Sequence, residues 1–302
     1  MYKILFRVTF KPFIQSIPLF FLLLFLPGCT DDPDPAPTDE KDIEPGSWIT
    51  YSPIRWTHDG EPYDSYYCIV YSDGASYEMK QDVGAFADDK FAKILDLFNF
   101  YDLDDLRYPP GYDKIDVYIN RFHEETVAYA YWGSIFITIR TPDFNPDYRY
   151  EYLFKHELTH VFEFLIEGKV NFVSDLWFTE GIAIYGGGGL FGITDIDDLE
   201  SWIAKNSGDP GQGNPICIHI WDDFPPGADI TGYYYNVFDL TMRYLLDPEG
   251  LGKSIQDVLN NFYDIRNDIS FPDAFEKNFG ISIADLEGEY YDRMRIYLGD
   301  AE

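Results

Sequence analysis

Five residues near the middle of the chain have the types and spacing that chemistry requires. His156, Glu157, Leu158, Thr159 and His160 spell H-E-x-x-H. Side chains four positions apart lie on one face of an α-helix, so the two imidazoles point the same way. Their nitrogens can hold one zinc ion at about 2.0–2.1 Å. Glu157 follows the first histidine and projects beside the metal, where its carboxylate can draw a proton from water. Such a short pattern also arises by chance on buried helices, so the reading depends on a third ligand.

Glu180, twenty positions after His160, is the candidate. It sits in Trp177-Phe178-Thr179-Glu180-Gly181-Ile182-Ala183-Ile184-Tyr185, with aromatics before it and the small residues Gly181 and Ala183 after it. Small residues let two helices approach closely, and a carboxylate buried at such a crossing needs a cation or a donor. An arginine partner or a capping role would also satisfy Glu180. Two histidines and a glutamate, with the fourth position left to water, make a catalytic zinc set. Of the five histidines only His156 and His160 have ligand spacing: His123-Glu124 begins the same pattern, but Val127 stands where the second histidine would be, and His58 and His219 carry no pattern.

The elements that must position these residues follow from periodicity. Residues 66–71, 114–120 and 128–141 read as strands, the last as a hairpin broken at Gly133. Apolar residues at helical spacing predict a helix over 82–98. From 145 onward the pattern is helical. The first of these helices begins at Pro146 or Asp147, carries both histidines and ends at Gly168; the next spans 175–185 and stops at Gly186–Gly189. Helices follow at 195–205, 232–246, 254–263, 272–279 and 282–298, with Asp195 and Ser282 as caps. The stretch 206–226, rich in Gly, Pro and Asp, reads as a lid or cleft wall. The expected fold class is therefore α+β, with a small strand-rich lobe over 48–145 and a helical lobe over 146–302 carrying the metal site.

H-E-L-T-H followed by W-F-T-E-G-I-A-I-Y resembles the gluzincin metallopeptidases, especially the peptidase-MA-like family. Residues 235–245 resemble that family's tyrosine-headed helix, and residues 275–286 its closing segment. The resemblance implies a thermolysin-like zincin fold with the active site between two lobes. It implies a Zn2+ cofactor on His156, His160 and Glu180, Glu157 as general base, and a peptide or protein substrate. It also implies a phenol that steadies the developing oxyanion. Tyr235 is the best-placed candidate, with Tyr233, Tyr234 and His219 as rivals. In similar families an edge strand beside the metal helix pairs with extended substrate. The strand at 133–139 is the candidate, although its apolar alternation equally suits a central strand.

The beginning of the chain bears on compartment. Residues 1–28 hold Lys3, Arg7 and Lys11, no acidic residue, and the apolar run 17–26, which is too short to span a bilayer but suits a signal peptide. Leu26-Pro27-Gly28-Cys29 resembles the bacterial lipoprotein box, with Cys29 as the lipidated first mature residue and Pro27 as a departure from the usual small residue. An ordinary secreted protein with a free Cys29 is the alternative. Residues 29–47 are acidic and Pro-rich, a composition that stays extended as a tether. Asp31 and Asp32 resemble surface-export signals, so the address is the bacterial outer membrane, on its periplasmic or outer face.

Three of the 22 basic residues and none of the 53 acidic ones lie in 1–28, so the remainder carries a net charge of −34. Such a surface opposes nucleic acid and anionic membranes. With 25 Tyr and 25 Phe there is ample material for a large core. Beyond Cys29 the cysteines are Cys68 and Cys217, read as buried thiols rather than a disulfide. Two other functions fit the sequence: a surface lipoprotein that binds glycans or proteins over a non-catalytic metal site, and a zinc hydrolase acting on a non-peptide bond.

Overall fold

Alternating β-branched and aromatic residues build one sheet whose two faces differ. In the computed structural model of the chain the described residues are 6–8, 60–109, 111–121, 126–131, 133–141, 143–169, 173–189, 193–206 and 231–298. The strands are β1 (Phe6–Val8), β2 (Tyr63–Asp64), β3 (Cys68–Asp73), β4 (Ile115–Asn120), β5 (Thr126–Tyr131) and β6 (Ser134–Thr138), in the order β1-β5-β6-β4-β3-β2. β4 pairs in parallel with β3 and β6, and the other pairings are antiparallel. Gly133, at φ +81°, turns the hairpin between β5 and β6 where the sequence breaks it.

One face of the sheet sends Cys68, Val70, Ile115, Val117, Ile119, Ala128, Ile135 and Ile137 into the main core. The other carries a ladder of stacked rings running Tyr71, Tyr118, Phe136, Tyr129 across β3, β4, β6 and β5, with successive centroids 4.9, 4.8 and 4.6 Å apart. With apolar cover on both faces, β6 is buried along its whole length. The expectation that the strand at 133–139 offers a free edge is therefore corrected: β6 is interior, bonded to β4 on one side and β5 on the other. Cys68 is a buried free thiol.

The fold is mixed α and β, with eight helices among the described residues. α1 (Tyr77–Leu97) starts five residues before the sequence pattern suggests. Ser76 caps it by accepting from the Met79 N–H, and Met79 packs into the core one turn ahead of Val83. α2 (Tyr148–Glu167) is capped by Asp147, which accepts from the backbone of Arg149 and Tyr150, and ends on Gly168 in the left-handed conformation. α3 (Leu176–Gly187) is followed by α4 (Ile196–Asn206), α5 (Thr231–Leu246), α6 (Ile255–Arg266), α7 (Phe271–Phe279) and α8 (Ile283–Leu298). Asp195 accepts from the Asp198 N–H ahead of α4, and Ser282 from the Asp285 N–H ahead of α8, as their sequence positions suggest.

α2 runs through the middle of the molecule, against α1 and β5 on one side and α3 and α6 on the other. Between Tyr152 and Glu167 every residue but Lys155 is buried. α3 crosses it closely because of its glycines. A Cβ on Gly186 would collide with the Thr159 side chain, and one on Gly187 would meet the Tyr152 ring at 2.9 Å. These contacts keep Gly186 and Gly187 helical, so α3 outlasts the expected stop at Gly186 and ends on Gly188. Residues 9–59, 122–125 and 207–230, which include Cys29, the tether, His58, His123, Cys217, His219 and most of the expected 206–226 loop, lie outside the described residues. So does the segment read as a signal peptide, apart from Phe6–Val8.

Two predictions follow from this packing. A Cβ on Gly181 would sit 2.8 Å from the Phe238 carbonyl oxygen on α5, a backbone atom that cannot swing away. Gly181→Ala should therefore cost about 1–3 kcal/mol in chemical denaturation despite its better helix propensity. On the ring-bearing face, burial pushes the Asp116 carboxyl up to about 7, against the opposing hydrogen bond from the Tyr118 hydroxyl at 3.2 Å. A carboxyl raised on folding stabilises the protein at low pH and loses that contribution as pH rises from about 4 to about 7. Asp116→Asn should match wild type near pH 4 and exceed it by about 1–3 kcal/mol at pH 8, read from urea midpoints at both pH values.

Candidate metal centre

The crossing of α2 and α3 brings together the three residues that the sequence singles out as ligands. His156 and His160 project from α2 and Glu180 from α3, and all three are buried. Their positions rest on the apolar side of α3: Trp177 and Phe178 pack on Phe271 and Phe275 of α7, and Phe178 also on Phe262 of α6. That packing turns Glu180, two residues on, toward α2.

The ligand atoms have metal-site spacing. Nε2 of His160 lies 3.2 Å from Nε2 of His156. Glu180 Oε2 lies 3.4 Å from His156 Nε2 and 3.5 Å from His160 Nε2. A tetrahedral ion with bonds of about 2.0–2.1 Å separates its ligand atoms by about 3.3–3.4 Å, so the triangle matches one face of such a tetrahedron. The group can hold a metal ion.

The electrostatics agree with the geometry. Burial disfavours charge on His160, but Glu180 and Glu163 outweigh it and push the imidazole pKa well up. Burial likewise disfavours the Glu180 carboxylate, and the two histidines overcome it and bring its pKa down. His156 moves down, chiefly through burial. Protons and a metal ion compete for the same imidazole nitrogens, so metal affinity weakens as pH falls.

Glu157 lies on the face of α2 adjoining the ligands, toward Ala130 of β5. Burial pushes its carboxyl up to about 8, with Glu180 adding to the rise and the His160 charge and the Ala130 backbone opposing it. Neither of its oxygens is held by a hydrogen-bonding side chain among the described residues. A carboxyl beside the ligands, held by no side chain among the described residues, can both accept and return a proton.

The chain matches no protein-family model and no curated protein sequence.

Tyr235, on α5, is buried with its ring 6.3 Å from that of His156. Burial raises the phenol's pKa, and the nearby Glu180, to which it hydrogen-bonds, raises it further. Tyr235 thus reaches the ligand cluster. The side chains of Tyr233 and Tyr234, like His219, lie outside the described residues.

Three residues at the centre escaped the sequence reading. The Tyr152 hydroxyl lies 3.4 Å from His156 Nδ1. Glu163 Oε2 lies 3.9 Å from His160 Nδ1, and Thr179 donates to Glu163 Oε1 at 3.0 Å. A signal was present: 152, 156, 160, 163 and 167 follow steps of four and three, so they share one stripe of α2.

Wild-type protein should carry about one metal ion per chain by elemental analysis. His160→Ala should carry none, and adding a divalent metal should raise the Tm of the wild type but not of the variant. Unchanged stoichiometry in the variant would place the metal elsewhere.

Proposed function

We propose that this protein is a zinc-dependent peptidase of the gluzincin kind, with a thermolysin-like arrangement of the helices around its centre. One observation carries the reading. Two imidazoles and a carboxylate present their ligand atoms 3.2 to 3.5 Å apart, and a buried Glu157 lies on the adjoining face of the same helix.

Zinc is the ion that this donor set suits, since two imidazoles and one carboxylate with an open position form a catalytic zinc site. When bound, the ion supplies a water of lowered pKa and an electrophile for a carbonyl oxygen. The remaining work belongs to the chain. Glu157 takes the proton of the attacking water as it adds to the peptide carbonyl, and then returns that proton to the departing amine. The Tyr235 phenol is kept protonated by burial and by the charge of Glu180, so it can donate a hydrogen bond to the oxygen on which negative charge develops. Glu180 stays ionised among the histidines and holds the ligand triangle together. On this reading the signal segment, and β1 with it, is removed before Cys29 becomes the lipidated first residue, and the acidic stretch 29–47 tethers the enzyme to the bacterial outer membrane.

Glu157→Gln preserves shape and removes the base. The variant should keep wild-type zinc content and lose about 10²–10⁴-fold in kcat/KM, measured by mass-spectrometric cleavage mapping on a mixed peptide library. A variant that cleaves at the wild-type rate would sink the assignment of Glu157. Zinc-loaded wild type that turns over esters but cleaves no peptide would move the reading to a different hydrolase.

A further inference from the structure

Glu163 is fully buried, three residues after His160 and outside the motif. A carboxylate in that position loses its hydration and must be compensated by donors or by positive charge. Two such partners stand close to it. Thr179 donates to Oε1 at 3.0 Å, and His160 Nδ1 stands 3.9 Å from Oε2, an ion-pair separation longer than a hydrogen bond. Oε2 makes no hydrogen bond among the described residues, so nothing there competes for it.

An imidazole binds a metal through one nitrogen and carries its proton on the other, and the partner of the second nitrogen decides which is which. Nε2 of His160 faces His156 and Glu180. With Nε2 given to a metal ion, the remaining ring proton resides on Nδ1, the atom that Glu163 faces. Thr179 immediately precedes Glu180, so the hydrogen bond that steadies Glu163 also ties the helix of the third ligand to the helix of the other two. The matching partner of His156 is the neutral hydroxyl of Tyr152. The two imidazoles are thus supported unequally, one by a phenol and one by a carboxyl.

We propose that Glu163 is a positioning residue for the metal centre: it holds the proton of His160 on Nδ1, aims Nε2 at the ion, and is itself fixed by Thr179 on the neighbouring helix. This inference rests on the reading of His156, His160 and Glu180 as metal ligands. Glu163 touches no substrate in it.

The test uses the full chain and the variants Glu163→Gln and Thr179→Val, with Zn2+ affinity measured by chelator competition. Glu163→Gln is isosteric and keeps the fold while removing the carboxyl. It should weaken Zn2+ binding about 10–100-fold, and Thr179→Val should weaken it less. Metal-free Tm should not fall in Glu163→Gln, whereas a merely structural residue would lower it and leave affinity alone. The ¹⁵N imidazole shifts of histidine-labelled protein give a second readout. Zn2+-loaded wild type should show His160 with its proton on Nδ1, and Zn2+-loaded Glu163→Gln should show that signature weakened. The d–d spectrum of the Co2+ form should shift in parallel. If Glu163→Gln binds Zn2+ as wild type does, with unchanged ¹⁵N shifts, the proposal is overturned while the metal centre stands. If wild type itself binds no Zn2+, the ligand reading fails and this inference falls with it.

Discussion

Charge sealed inside an apolar core is the constraint on which this molecule turns. Along one stripe of α2 and the facing side of α3 lie two imidazoles and the carboxyls of Glu163, Glu167 and Glu180, all buried. Glu157 is buried on the same helix. Each acid would be costly there alone, and the cost falls only where positive charge or donors stand close. The shifts follow that rule. Glu180, between two histidines, is held ionised. Glu157 and Glu167, less well matched, are pushed up by burial. A divalent cation at the ligand triangle is the charge that such a group of acids calls for.

The rest of the fold serves that crossing. The sheet supplies an apolar face under α1 and α2, and β5 lies along α2 on the Glu157 side. The aromatic cluster of Trp177, Phe178, Phe271 and Phe275 anchors the far side of α3. Between them the glycines of α3 bring backbones within reach. Gly186 and Gly187 lie against α2, and Gly181 lies against α5, the helix that delivers Tyr235. Glycine weakens a free helix by about 1 kcal/mol per residue, and here the loss is offset by contacts that no larger residue could make. The same small residues that disfavour the helix locally make the site possible globally.

Much of this was legible from the chain. Asp147 and Gly168 mark the ends of α2, Asp195 and Ser282 the starts of α4 and α8, and Gly133 the hairpin, because caps and turns depend on residues next to one another. The ligand pair was legible because a helix converts a spacing of four into a shared face. Other features were not. α1 begins at Ser76 because Met79 finds a place in the core, which helix periodicity alone does not reveal. Whether β6 is edge or interior depends on which strands flank it, and its alternation suits both. Three adjacent tyrosines look alike in sequence, and only the placement of α5 turns Tyr235 to Glu180.

By itself, then, the sequence determined which side chains could act and which local elements would carry them, since those follow from neighbours within a few residues. Tertiary structure decided which of them meet. The distance between His160 and Glu180, the burial of Glu157 and the pairing of Glu163 with Thr179 depend on the approach of two helices, and that approach is set by packing between residues distant in the chain.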